Sequence, residues 1–381
     1  MIRRYVIFCA ALIALSGSLV ATLATGDDKA WQLRGYADTT EDANVPYALP
    51  RLGVNAELMQ YTPDQLGQQL DRMMAAHISW VRQIFPWDQI EPGQGQYQWD
   101  KWDAVVKAVD QHPTLRLIAV LVNSPKWART PEAPDSPTAP PRSPDTFAAF
   151  ASTFARRYGQ SIDYYQVWDE PNLTAAWGGL DPRATQYVAL LQAAYHAIHS
   201  ADSSATVIAG GLAPTVENGP KNISDILYLQ DLYAFGAKDF MDALGAKPHG
   251  FNDPPTDRTV SEDVLNFSRI VALREEMVRS GDGKKAIWAV SWGWNTLPAG
   301  WTGAPSIWGS VTQQEQVQYT LDALDRVERE MPWIAGMTLQ HWQPDAPSND
   351  PLWGFALIDQ DNRPTPLWTA LAQRPPPSAA A

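Results

Sequence analysis

Asp169 and Glu170 are adjacent carboxylates at the end of a short apolar run, Tyr164-Tyr165-Gln166-Val167-Trp168, and Pro171 and Asn172 close the segment. Acids at the end of a buried strand are costly unless they are paired or used, so this pair points to acid–base work. The plainer alternative is an Asp-Glu pair on a solvated turn, and the flanking Trp168 and Pro171 argue against it. Other chemistry-bearing residues recur at the same kind of position. Arg82 lies in Trp80-Val-Arg-Gln-Ile-Phe85, Trp127 follows Leu115–Val122, Lys247 and His249 follow Met241–Ala246, and Ser291, Trp292 and Trp294 follow Ala286–Val290. His341 and Trp342 follow Ile334–Leu339, with Trp353 a little further on.

The elements that must position these residues are eight short apolar runs, the remaining ones being Leu52–Glu57, Tyr164–Val167 and Ala205–Gly211. Amphipathic helical patterns separate them, among them one opened by Thr62-Pro63 and others over 102–112, 183–199, 226–235, 261–279 and 312–331. Strands alternating with helices predict an α/β fold, a single-domain (β/α)8 barrel, whose chemistry gathers at the C-terminal strand ends. Six prolines between Pro131 and Pro144 predict a stiff, solvated loop.

Taken in order, five motifs resemble clan A glycoside hydrolases, closest to family 39, with family 5 as a neighbour. They are Trp80-Val-Arg82, Ile90-Glu-Pro-Gly93 with Tyr97 and Trp99, Trp168-Asp-Glu-Pro-Asn172, Ala209-Gly-Gly-Leu-Ala-Pro214 and Trp353-Gly-Phe-Ala-Leu357. The resemblance implies a retaining mechanism with two carboxyls about 5–5.5 Å apart across a glycosidic bond. Glu170 matches the acid/base position. The nucleophile position at the end of strand seven is occupied by Ser291, and no Asp or Glu occurs between Gly283 and Gln314. A serine hydroxyl without an activating partner does not replace that carboxylate. Asp169 stands where the family carries Asn, and Lys247-Pro248-His249 where it resembles His-Pro-Tyr. Arg82 matches an arginine that orients the nucleophile, so Asp169 is a candidate replacement partner for Arg82 and Lys247.

Three functional readings follow. In the first, the chain binds oligo- or polysaccharide in a Trp-lined cleft with degenerate retaining catalysis, using Arg82, Trp127, Lys247, His249, Trp292, Trp294, His341, Trp342 and Trp353. In the second it is an active hydrolase with Glu170 as general acid and Asp169 or Asp345 as a substitute base. In the third it is a structural or assembly protein of the cell surface. No cofactor is implied, and His249 and His341 lack the acidic company of a metal site.

Residues 1–26 combine Arg3 and Arg4 with an apolar stretch and small-residue cleavage sites, which predicts a secretory signal or an uncleaved anchor. That places the protein outside the cytoplasm, secreted or in the cell envelope, with the membrane touched only through this segment. The single cysteine, Cys9, falls inside it. Losing two arginines takes the net charge from −13 to −15, which argues against nucleic acid as a partner. The domain plan is therefore a signal or anchor (1–26), a linker or strap (27–50), the barrel (51–371) and a Pro/Ala-rich tail (372–381). Three glycosylation sequons begin at Asn172, Asn222 and Asn266. Oligomeric state is left open.

Overall fold

The computed structural model describes residues 52–375 together with Ala43. The expected signal, most of the expected strap and the end of the tail lie outside the described residues. Eight parallel strands close in chain order into one barrel. They are β1 (Leu52–Asn55), β2 (Trp80–Pro86), β3 (Arg116–Val122), β4 (Tyr164–Val167), β5 (Thr206–Leu212), β6 (Ala243–Ala246), β7 (Ala286–Trp292) and β8 (Ile334–Leu339). Around them run α1 (Pro63–Ala75), α2 (Asp100–Asp110), α3 (Pro144–Tyr158), α4 (Ala184–Ala201), α5 (Asp225–Ala234), α6 (Arg269–Arg279), α7 (Gln313–Glu330) and the closing α8 (Pro366–Gln373).

Local chemistry starts the helices where the sequence marks them. Thr62 and Thr312 each form a reciprocal capping box, with Gln65 and Glu315 three residues on. The expected helix over 261–279 begins only at Arg269. The Arg269 guanidinium takes the carbonyls of Ser261, Glu262 and Val264, which a helix would have used for its own bonds.

Two apolar layers hold the barrel. One is the shell between strands and helices. The other fills the interior and centres on Trp80, Tyr164 and Trp288, whose ring centroids are 5.0–5.5 Å apart. Gly336 makes room for this cluster, since a Cβ there would lie 2.5 Å from Trp288 Cε3.

The proline segment is more than a solvated loop. Pro131, Pro134 and Pro137 are exposed, but Ala133, Ala139 and Pro140 are buried. Backbone bonds from Ser124 to Pro137, Thr130 to Pro140 and Arg142 to Ala128 pin it to the barrel rim.

Candidate functional site

At the C-terminal mouth the backbone leaves β4 through an unusual turn. Trp168 (φ 65°) and Glu170 (φ 50°) both adopt the left-handed region, a conformation costing about 1–3 kcal/mol per residue for non-glycine side chains. Three restraints hold it. The Trp168 indole N–H donates to Ala176 O at 2.9 Å, the Glu170 N–H donates to Gly211 O at 3.1 Å, and Asn172 clamps the exit. Asn172 is fully buried; its amide donates to Ala213 O and Ile223 O, and its oxygen accepts from Ala213 N.

This turn presents Asp169 and Glu170 to a continuous polar network. Lys247 Nζ donates to Asp169 Oδ2 at 2.9 Å and to Glu170 Oε1 at 2.8 Å. Arg82 Nη2 lies 2.9 Å from Asp169 Oδ1, as an ion contact without hydrogen-bond alignment. The rest of the guanidinium is fully engaged, Nε donating to Gln166 Oε1 at 2.9 Å and Nη1 to Asn55 Oδ1 at 2.6 Å. Gln166 in turn donates to Asp169 Oδ1 at 3.0 Å. Asn55 donates to Val290 O and Leu339 O, which ties the network to the ends of β7 and β8.

Burial alone would raise the Asp169 carboxyl, but Arg82 and Lys247 outweigh it and hold its pKa down at about 2. Asp169 thus partners both cations. Gly211 permits this approach, because a Cβ there would fall within 2.9 Å of Asp169 Oδ1, Val290 Cγ2 and Lys247 Cε.

Strand seven ends differently. Ser291 is buried, and its hydroxyl donates to Gln340 Oε1 at the end of β8. His249 follows β6 and is buried between Phe355, Trp308 and Phe251, with ring centroids 5.8, 6.1 and 6.4 Å away. Burial, then Lys247, then His341 push its pKa down to about 3. His341 is likewise pushed down to about 4 by burial and Lys247, with Asp350 opposing. Both imidazoles are therefore neutral at pH 7.

The expected tryptophan platform needs correction. Trp292, Trp294 and Trp342 are at most 1 % exposed and belong to the core. Trp292 and Trp294 pack on Phe267, and the Trp342 indole donates to Gln69. A core position beats a platform here because a buried indole removes far more apolar surface from water. Trp127 and Trp353 remain partly exposed. Trp127 rests edge-on against Trp87 and bonds Glu91 O, while Trp353 bonds Pro347 O.

Sequence reasoning missed Asn55, Gln166, Gln340 and Glu57. Gln166 had a signal, being the one polar residue of an otherwise apolar strand. Glu57 sits two residues beyond β1, and burial raises its pKa against the pull of Arg82, with Asp345 adding to the rise. Asp345 is exposed. A cavity of about 500 Å³ between the proline segment and α4 shares no residue with this network.

A family 39 glycoside hydrolase from Bacteroides cellulosilyticus WH2 superposes with a TM-score of 0.66 at 19% identity, over 85% of this chain and 63% of its own. A monomeric beta-xylosidase from Caulobacter crescentus CB15 gives 0.61 at 16% identity, over 88% and 70%. The fold is that of the glycoside hydrolase barrels. A family 5 protein from Streptomyces cattleya, solved in complex with Manβ1-4GlcNAc, gives 0.59 at 15% identity, over 85% and 79%. The family model described as beta-galactosidase (Glyco_hydro_42) matches residues 58–134, and no curated protein matches the chain. The chain spans 63% of the length of the family 39 enzyme.

Proposed function

We propose that this protein binds carbohydrate at the C-terminal mouth of its barrel and does not run retaining hydrolysis. One observation carries the reading. The two carboxylates that follow β4 are tied up by cations, Asp169 between Arg82 and Lys247 and Glu170 Oε1 on Lys247, while β7 offers only the hydroxyl of Ser291. A retaining enzyme needs a carboxylate free to attack the anomeric carbon, and a serine bonded to a glutamine does not supply one. The sugar-related names of the similar barrels, a beta-xylosidase and a protein bound to Manβ1-4GlcNAc, support carbohydrate as the ligand class. Partly exposed Trp308, Trp353 and Trp127 take over the stacking role expected of the buried tryptophans.

Wild type and Glu170→Gln assayed on a panel of aryl glycosides should both stay at background, while calorimetric titration with oligosaccharides shows saturable heat. A good leaving group does not help, since the missing step is attack. Robust turnover that inverts configuration and requires Glu170 would overturn this reading. It would establish instead an inverting hydrolase with a substitute base. Glu57 is the residue to test then, because it is a largely buried carboxyl with a raised pKa, whereas Asp169 is committed to two cations. Loss of that turnover in Glu57→Gln would assign the base.

A further inference from the structure

Tyr97 and Trp99 form part of the motif that follows β2, yet the mouth makes no use of them. Their rings stack in parallel, 5.1 Å apart and 9° from coplanar. The Arg157 guanidinium carbon lies 5.0 Å from the Trp99 ring centroid. Arg157 is itself fixed by two bonds to Asp103, which also accepts from Tyr158 OH. Tyr97 and Arg157 thus both pack on the Trp99 ring, and Tyr97 and Trp99 are each partly exposed.

The loop carrying the stack is held in place. Glu91 accepts from the Trp87 indole and from Gly95 N, both at 2.7 Å, and Gln98 N donates to Ile90 O at 2.7 Å. Tyr97 and Trp99 both line a cavity of about 620 Å³, together with Met59, Asp88, Gln98 and Lys101. That volume suits a ligand of one or a few sugar rings. A stacked aromatic pair in the cavity wall, with amide, carboxyl and ammonium groups around it, matches a pyranose ring, which is apolar on its C–H face and ringed by hydroxyls.

We infer that the Tyr97 face is a second glycan-binding site, taking a pyranose unit of a longer chain. It lies outside the ion-pair network and begins at Met59, two residues from Glu57 at the mouth. A polysaccharide reaching both places gains avidity from the linkage between them, and a short sugar does not. The inference rests on carbohydrate as the ligand class but not on the chemistry of the mouth. Ordering costs are low, because the stack is assembled before the ligand arrives.

The test is affinity electrophoresis of the full chain through gels containing xylan, mannan or mixed-linkage β-glucan, with calorimetry of the matching disaccharides. Tyr97→Ala should weaken retention by the preferred polysaccharide roughly tenfold, equivalent to about 1.4 kcal/mol, and leave disaccharide affinity unchanged. Gln98→Ala with Lys101→Ala, both exposed positions, should act in the same direction without touching the packing of the stack. That pair keeps the test valid if Tyr97→Ala disturbs the loop. Unchanged retention in both variants, with wild type retained and with Lys247→Met weakening it, overturns the second site and leaves the mouth reading standing. Weakening by the Tyr97 variants but not by Lys247→Met supports the second site and sinks the mouth reading. A wild type that no glycan retards overturns both.

Discussion

Two ion-pair clusters in this barrel each set an aspartate against an arginine, and they behave oppositely. Outside the strands, Arg269 is 2 % exposed and meets Asp225, Ser224 Oγ and four backbone carbonyls, those of Thr215, Ser261, Glu262 and Val264. At the mouth, Asp169 meets two cations, and Glu170 keeps about a third of its side chain open to solvent. Burial raises Asp225 above its usual value, with Arg269 only partly opposing. Arg82 and Lys247 instead drive Asp169 below its usual value. The backbone differs as well, regular where Asp225 opens a helix and left-handed on both sides of Asp169. The first cluster organises chain segments around one arginine. The second concentrates charge on a strained turn at a solvent-facing mouth, which is where a ligand would meet it.

If that distinction holds, the largest effect belongs to the organising cluster. Arg269→Met should cost about 3–5 kcal/mol, because it leaves Asp225 buried without its cation and frees four carbonyls. Denaturant unfolding would measure it, and a loss below that of any mouth variant would break the comparison.

Asp169→Asn should cost less, about 2 kcal/mol. Lys247 retains Glu170, and Arg82 retains Asn55 and Gln166. The same variant sharpens the contrast at low pH. The Asp169 contribution is full above its unfolded value of 3.8 and fades as pH falls toward its folded value of about 2, so Asp169→Asn should flatten the acid limb between pH 4 and 2.

The smallest effect comes from the neutral imidazoles. A histidine whose folded pKa is depressed stabilises fully above its unfolded value near 6.5 and loses that stability as pH falls toward about 3. Between pH 7.5 and 6, wild type should lose about 1.5 kcal/mol through His249 and His341 together. His249→Phe should lose less over the same interval in a pH series of thermal melts. An identical slope would remove His249 from the account.

The barrel and the charged half of the mouth were legible in the sequence because both depend on position along a strand. Apolar runs mark the strands, and residues just past them reach the mouth whatever the local register. Asp169, Glu170 and Lys247 were found this way, and Arg82, inside β2, through the motif Trp80-Val-Arg82. The tryptophans were not, since which face a side chain takes depends on parity, and parity fails at a bulge. The pairing of β7 with β8 shifts between Ala289 and Trp292, so Val290 stays inside the barrel while Trp292 turns out to Phe267. Nothing in the composition of Val-Ser-Trp-Gly-Trp announces that shift. The helix start at Arg269 was hidden for a similar reason, as a side chain from one end of the segment claims carbonyls at the other.

The Asn172 clamp bears on how the protein can be produced. Asn172-Leu173-Thr174 is an acceptor sequence for N-linked oligosaccharide, and a eukaryotic secretory host attaches that group while the chain is still emerging and unfolded. The amide that would carry it is the one that donates to Ala213 and Ile223 at a fully buried position. A chain so modified could not close the turn that presents Glu170. Asn266 is nearly as enclosed, its amide spent on Asp257 and Thr259. Bacterial expression, which attaches no such group, separates a folding failure caused by the host from one that belongs to the sequence.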